Sequence, residues 1–446
     1  MSILSTYDII SKKRQGLVLA REEISFIVNG FLQKKVNDFQ IGAFLMAVFI
    51  KGMNEDETYY LTESMAGSGE HLDLKSINAP KIDKHSTGGV GDGVTLCLVP
   101  IVSSLGLVVP TMAGRSLGYT GGTIDKLESI PGINTSLEPK SIVKQLQDIG
   151  CAIFSQTDHI AAADKYFYSI RDKIACVESP GLIISSILSK KMSESIDGLV
   201  LDIKVGSGAF LNSFGEAERF ASNVKQVAKR LGIKITQFIT DMDQPLGKYV
   251  GNSLEMFQAV EILSGKREEN TDDIRQLIAE FAMEMLMMGD KFADKRQALE
   301  KVNEVISNGK AKEKLKELIS YQNGDVSVID NPSKLPQAQN KLEVLSDEEG
   351  FVEMINARGI AECLMLLGGG RTKADNPIDL SAGIILNKKH GQYARSGDIL
   401  GTLVHNFSSD DQRVVQAAKS FIEAFSFSKG QVKGKNLVIE IVKNGI

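Results

Sequence analysis

Residues 81–132 constrain the fold of this chain more than any other stretch. Two glycine-rich loops, Gly88-Gly89-Val90-Gly91-Asp92-Gly93 and Gly114 through Gly122, flank an apolar run. Glycine can take φ > 0 and turn successive backbone N–H groups into a concave anion nest. Lys84, Ser86, Thr95, Arg115, Thr120 and Thr123 place side-chain donors beside the loops. Two such loops around a strand–helix unit describe one anion site built from two sides. The dinucleotide pattern is not met, because no Gly-x-Gly-x-x-Gly here opens a helix with an acidic residue about 20 positions on. The Walker spacing is absent as well.

With 446 residues the chain can form two or three domains and a substantial core. A net charge of −5 argues against a broad nucleic-acid surface and leaves room for a local basic pocket. Cys97, Cys151, Cys176 and Cys363 are scattered without a Cys-x-x-Cys pair. The histidines at 71, 85, 159, 390 and 405 form no metal-spaced pair, so no metal is expected. The N-terminus lacks a charged-then-apolar signal pattern, and no apolar run approaches the length of a membrane span. A reduced, cytoplasmic setting without a membrane partner is the expectation.

Helix-like apolar spacing over Glu22–Leu32, Asp38–Ile50 and Asp56–Met65, with Asn54 as an N-cap, predicts a helical lobe over residues 1–67. Ala66-Gly67-Ser68-Gly69 breaks it. From about residue 80 short apolar runs alternate with glycine turns and amphipathic stretches, as in an α/β layer fold. Leu199–Val205 reads as a buried strand ending at Gly206-Ser207-Gly208, and Ala161–Met192 reads as helical again. Residues 272–320 are helical and rich in Lys and Glu, which suggests a solvated face. Residues 325–343, with Asn331-Pro332, read as loop, and residues 345–446 hold Val- and Ile-rich strand runs between glycine turns.

The run Lys84-His85-Ser86-Thr87-Gly88-Gly89-Val90-Gly91-Asp92, followed by Gly114 through Ser129, resembles the thymidine and pyrimidine-nucleoside phosphorylase family. The resemblance continues through Ala163-Asp164-Lys165, Arg171-Asp172, Ser185 through Lys191, Asp202 through Phe210, Gln244-Pro245-Leu246-Gly247 and Gly251-Asn252. It implies an α/β fold with a separate all-α lobe and a small C-terminal α+β domain, of the nucleoside phosphorylase and phosphoribosyltransferase type. The helical lobe, 1–67, would be completed by 161–195. The α/β phosphate-binding domain would take 78–155 plus 196–330, and the C-terminal domain 345–446. Hinges would then fall near Gly67–Gly69, Gln156–Ile160 and Met192–Ile196, and two helical lobes would form a homodimer. The C-terminal domain would be related to biotinyl-carrier folds. Leu386 through His390 is no attachment motif, so Lys388 and Lys389 are read as surface residues.

The family resemblance implies an enzyme that transfers a pentosyl group, cleaving pyrimidine nucleosides with inorganic phosphate for salvage. Lys84, Ser86, Thr95 and Thr123 would hold phosphate. His85 would hydrogen-bond or protonate the base O2, Arg171 and Lys190 would face the carbonyl oxygens, Ser186 would read N3, and Tyr168 would wall the pocket. Ser186 and Lys190, four apart, share a helix face. No cofactor is expected. Some members hold a monovalent or calcium ion at positions matching Gly91, Gly93, Leu246, Tyr249 and Gln258, and the glutamine removes the charge hard cations prefer, which predicts a weak site or none. The second loop departs from the family: Ala113 stands for Ser, Ser116 for Gly, Tyr119 for His, and Thr111 for a frequent Lys. These departures predict a weakened phosphate site and space beside the sugar. The alternatives are a phosphorylase for an altered or 2′-modified nucleoside or a nucleotide, or a non-catalytic nucleoside-binding paralogue.

Overall fold

The computed structural model describes residues 4–116, 121–371, 377–408 and 410–443. Four helices open the chain: α1 (Thr6–Arg14), α2 (Arg21–Leu32), α3 (Asp38–Lys51) and α4 (Glu55–Ala66). Asn37 and Asn54 cap α3 and α4, each in a reciprocal box with the glutamine or glutamate three residues on. Glu57 also takes the ammonium of Lys13 at 2.6 Å, both side chains buried. An α/β stretch follows: β1 (Ile82–Ser86), α5 (Val94–Ser104), β2 (Val109–Ala113), α6 (Thr123–Leu127), α7 (Pro139–Ile149) and β3 (Cys151–Ser155).

The chain then returns to the first lobe with α8 (Ala162–Lys173) and α9 (Pro180–Ser193). Ile27, Phe44 and Leu61 share one core with Ala163, Phe167 and Leu182, so the helical lobe is assembled from two separated segments. The helical stretch expected over 161–192 consists of two helices. Ala175 takes φ +53, and Pro180 starts the second helix at a position where its missing N–H costs nothing. The connections between lobes lie side by side: Glu70 N–H donates to His159 O at 2.6 Å and Leu72 N–H to Ser193 O at 2.9 Å.

Next come β4 (Gly198–Val205), α10 (Phe214–Arg230), β5 (Lys234–Asp241), β6 (Tyr249–Val250), α11 (Asn252–Leu263), α12 (Asp272–Met288), α13 (Lys295–Ser307), α14 (Lys310–Tyr321) and α15 (Ser327–Asp330). The solvated-face reading of 272–320 holds for the ion-paired outsides of α13 and α14 only, since α12 buries Phe281, Met285 and Leu286 in the main core. Residues 325–343 contain α15 and the start of the following strand, where a loop was expected. The remainder is β7 (Asn340–Leu345), β8 (Gly350–Ile355), α16 (Ala357–Leu366), β9 (Gly383–Leu386), β10 (Tyr393–Ala394), β11 (Ile399–His405), α17 (Gln412–Glu423), β12 (Phe425–Ser428) and β13 (Val438–Lys443).

The central sheet runs β1-β4-β5-β13. β1, β4 and β5 are parallel, and β2 with β3 extends the layer beyond β1 through a bridge at Lys81 and Val108. β13 is antiparallel to β5, so the last strand belongs to the central sheet and not with the C-terminal domain, where sequence had placed it. In exchange β6 pairs with β9 in the C-terminal sheet β6-β9-β11-β7. Lys389 is likewise no surface residue. Only 7% exposed, its ammonium donates to Pro245 O and Gly247 O, and it pairs with Asp273 at 2.9 Å. An ammonium with three oxygen partners can be buried, and here it pins the C-terminal domain to the turn after β5.

Candidate active site

In an open parallel sheet, ligands bind beyond the carboxyl ends of the strands. Those ends carry the first glycine loop after β1, the second after β2, Gln156 after β3 and Phe210 after β4. They open into a cleft of about 530 Å³ whose far wall is built by α8 and α9. The cleft brings together Lys84, His85, Ser86, Thr95, Thr123, Tyr168, Arg171, Ser186 and Lys190, all of the site residues read from the sequence. Thr120 and Tyr119 lie outside the described residues.

At the anion pole, Gly88 and Gly91 take φ +100 and +74, and a side chain on Gly91 would collide with the carbonyl of Leu246. Thr95 sits in the first turn of α5, whose N-terminal N–H groups favour an anion. Ser86 Oγ donates to Asp92 Oδ2 at 2.9 Å. The Lys84 ammonium is buried 3.8 Å from Asp92 and 3.9 Å from Asp202, and it makes no hydrogen bond to any described residue. Burial lowers its pKa against the pull of both carboxylates. Lys204 lies 2.6 Å from Asp202, and Lys126 lies 2.8 Å from Glu255 and donates to Asp92 O at 2.8 Å. Burial pushes the Asp92 carboxyl up, but Lys84, Lys204 and Lys126 outweigh it and hold it well below the usual carboxylate range. Three ammonium groups and three carboxylates thus balance in a buried layer, and Lys84 is the ammonium of the three with no carboxylate nearer than 3.8 Å.

The opposite pole is made by the helical lobe. Lys190 Nζ lies 2.5 Å from Asp164 and donates to Ser186 Oγ at 2.6 Å and Ser186 O at 2.9 Å. Its hydrogens are used inside the protein, and because Ser186 Oγ accepts one, the serine O–H remains free to donate. Arg171 donates from Nε to Cys176 O at 3.3 Å, from Nη1 to Leu182 O at 3.2 Å, and from Nη2 to Val177 O. Each terminal nitrogen keeps one more N–H for a ligand. The guanidinium and the Lys190 ammonium lie over the Tyr168 ring at 5.8 and 5.7 Å. Burial pushes the Tyr168 phenol up to about 12, so it stays neutral. His85, at the C-terminal end of β1, faces the space between the poles. Burial, reinforced by Lys191, Lys190 and Lys84, pushes its pKa well below 6.5, so the imidazole is neutral near pH 7 and offers one N–H.

Thr111 does not face the anion pole with a free hydroxyl. Its Oγ1 donates to Asp83 Oδ1 at 2.6 Å, and Asp83 in turn pairs with Lys191 at 2.5 Å, a buried ammonium that also meets Glu194 at 2.8 Å. Ser116 is engaged too, its Oγ accepting from Arg371. The positions matching a cation site do not fit one. Gln258 Oε1 accepts the Lys248 N–H at 2.9 Å, Gln258 brings no charge, and the Lys389 ammonium already occupies two carbonyls of the same turn. Among the described residues no cluster of His, Cys, Asp and Glu could hold a metal ion, and no helix is long and apolar enough to cross a membrane.

Sequence reading missed Lys126, Lys204, Asp202, Asp164 and Arg371. Asp202 and Lys204 carried a local signal, two opposite charges on one face of an otherwise apolar strand. Arg371 carried none, because its partners lie some 250 residues away in the chain.

Comparison with known proteins shows the family and the fold. Residues 78–312 match the α/β domain of a glycosyl transferase family, residues 7–69 its helical bundle domain, and residues 351–424 the pyrimidine nucleoside phosphorylase C-terminal domain. The chain is 41% identical over 404 residues to a pyrimidine-nucleoside phosphorylase of Staphylococcus epidermidis, covering 91% of this chain and 93% of that one. It is 40% identical over 399 residues to one of Geobacillus stearothermophilus, covering 90% and 92%. Anthranilate phosphoribosyltransferase from Thermus thermophilus superposes with a TM-score of 0.57 at 16% identity, over 71% of this chain and 99% of that one, and shares the fold.

Proposed function

The chain belongs to the pyrimidine-nucleoside phosphorylase family, and from that premise we propose that it cleaves pyrimidine nucleosides with inorganic phosphate. The observation that carries the reading is the buried Lys84 ammonium, which has no hydrogen-bond partner among the described residues and belongs to a cleft whose opposite wall carries Arg171, Ser186 and Lys190. A phosphate oxygen attacks C1′ while the bond from C1′ to N1 of the base breaks. The sugar leaves as its 1-phosphate, and the base departs with the electron pair and takes up a proton. Positive charge develops on the sugar and negative charge on the pyrimidine, so the chain's task is placement and electrostatics. Lys84, Thr95 and Thr123 hold the dianion, and Ser86 joins them by turning its O–H from Asp92 to a phosphate oxygen. The neutral His85 N–H and the remaining Arg171 N–H groups donate to the base oxygens as charge builds, and Ser186 addresses N3. Lys190 acts first by orienting Ser186. No covalent nucleophile or cofactor enters these steps.

A nucleotide substrate is less well served, because the guanidinium groups near the second loop, Arg115 and Arg371, are already taken by Asp125 and Glu128. The helical lobe leaves Tyr7, Phe39 and Ile50 exposed, which suits a homodimer through that lobe. Four buried free cysteines suit a reducing, cytoplasmic compartment. The test is release of free base from thymidine, uridine and deoxyuridine, followed by ultraviolet absorbance with and without millimolar phosphate. No phosphate-dependent release from any of them would refute the reading.

A further inference from the structure

Arg371 comes from the C-terminal domain, yet it lines the cleft. Its Nη1 donates to Ser116 Oγ at 2.6 Å and to Asp125 Oδ2 at 3.0 Å, and its Nη2 donates to Asp125 Oδ1 at 3.0 Å. Asp125 is 2% exposed and also accepts the Ser116 N–H at 2.6 Å and an Arg115 N–H at 3.2 Å. One carboxylate therefore ties together the segment leaving β2 and helix α6, which begins at Thr123 of the anion pole. A guanidinium fork on a carboxylate fixes angle as well as distance, which a lysine cannot do. Across the cleft stands Asp172 of α8, beside Arg171. It is half-buried and lines the cleft, and its backbone carbonyl accepts the Ala175 N–H at 3.4 Å, which leaves its carboxylate free of that bond. Burial pushes the Asp172 carboxyl up, against the pull of Arg371 and the adjacent Lys173.

Building on the phosphorolysis reading, we propose that Arg371 is a positioning residue that couples phosphate binding to closure of the helical lobe. It holds Ser116, Asp125 and α6, and hence Thr123, in the geometry that receives phosphate. Its remaining field draws Asp172 inward as the lobes approach. Each of the three domains then contributes to one electrostatic clasp: Arg371 from the C-terminal domain, Asp125 from the α/β domain and Asp172 from the helical lobe. Neither Arg371 nor Asp172 touches the reacting atoms.

The test uses the full chain carrying Arg371→Ala, Arg371→Lys, Asp172→Asn and the double variant Arg371→Lys with Asp172→Asn. Two readouts are taken: the Michaelis constants, and the shift in thermal unfolding produced by inorganic phosphate alone. Arg371→Ala is expected to raise phosphate KM by about tenfold or more, to leave nucleoside KM within about threefold, and to shrink the phosphate-induced shift. Arg371→Lys should recover only part of the phosphate affinity. Asp172→Asn should lower kcat by about threefold or more with little change in the phosphate shift, and its loss should not add to that of Arg371→Lys. If Arg371→Ala lowers stability but leaves phosphate KM and the phosphate shift unchanged, the residue is merely structural and the proposal fails. If Arg371→Ala does not fold, the Lys and Asn variants decide: wild-type kinetics in both, or strictly additive losses, overturn it. Failure of the phosphorolysis reading is distinguishable, because the wild type would release no base while the phosphate shift still reports on Arg371.

Discussion

Lys84 and Lys126 are both lysines buried at the anion pole, and their bonding predicts opposite consequences when each is replaced by methionine. The Lys84 ammonium has no hydrogen bond and stands 3.8 and 3.9 Å from two carboxylates. At that separation a unit-charge pair gains about 4 kcal/mol at an effective dielectric near 20. Burying the ammonium costs a comparable amount, and Lys204 and Lys126 repel it. Lys84→Met should therefore change stability by no more than about 1–2 kcal/mol. Its effect on phosphate should be large, since losing one hydrogen bond to a charged ligand costs about 1.5–3 kcal/mol, roughly 10- to 150-fold in affinity. Lys126 is different, held at 2.8 Å by both Glu255 and Asp92 O. Lys126→Met leaves a buried carboxylate unpaired and should cost about 3–5 kcal/mol of stability. The assay is urea unfolding with and without phosphate, alongside phosphate KM. Where phosphate at a hundred times its Kd stabilises the wild type by about 2.7 kcal/mol, a hundredfold weaker site gains only about 0.4 kcal/mol at the same concentration. A phosphate KM within threefold of wild type in Lys84→Met, or a larger stability loss there than in Lys126→Met, would refute this reasoning.

Three further outcomes follow from the same geometry. Because burial lowers the Lys84 pKa below 10.5, phosphate KM should rise with pH on the alkaline side earlier than an exposed lysine would allow, and Lys84→Met should lack that rise. His85 has a folded pKa depressed below 6.5, so the unfolded chain takes up the proton first; stability is lost as pH falls below about 6.5, at up to about 1.4 kcal/mol per pH unit, until the folded pKa is reached, and His85→Gln should remove that component from urea curves run at pH 7 and pH 5. Arg171→Ala and Lys190→Ala should each reduce kcat/KM by about 2–4 kcal/mol of transition-state binding, and Arg171→Ala should also lower the unfolding temperature, because it orphans the carbonyls of Cys176, Val177 and Leu182; a loss below threefold in kcat/KM for either variant would remove it from the base site.

Much of the anion pole could be read in the sequence because it is local: Lys84, Ser86, Gly88, Gly91 and Thr95 sit on one strand–loop–helix passage whose glycines and hydroxyls state their chemistry. The meeting of that pole with Arg171, Ser186 and Lys190 is a fact of tertiary structure. Apolar spacing could identify the helices that carry them but not that α8 and α9 return to the first lobe, and family resemblance supplied that step. Lys389 was misread because a lysine beside a turn is ordinarily solvated, and nothing near it in the chain announces the carbonyls of Pro245 and Gly247 or the carboxylate of Asp273. Lys190 was expected to meet the substrate with its ammonium, whereas Asp164 and Ser186 already take its donors, a distinction visible only once the partners have positions. Thr111 shows the same limit: its lack of charge was legible, but its bond to Asp83 was not.

The antiparallel strand β13 gives this molecule an unusual schedule for its own synthesis. Its partner β5 ends at Asp241, and some two hundred residues must be translated before Val438 arrives to cover that edge. Until then β5 is an open strand flank of the kind that invites pairing with another chain. Translation proceeds from the N-terminus at about 5–20 residues per second, so the nascent protein spends on the order of ten seconds or more with its central layer unfinished. A product truncated between Arg371 and β13 would carry both glycine loops and the residues that line the cleft, and still expose the edge of β5.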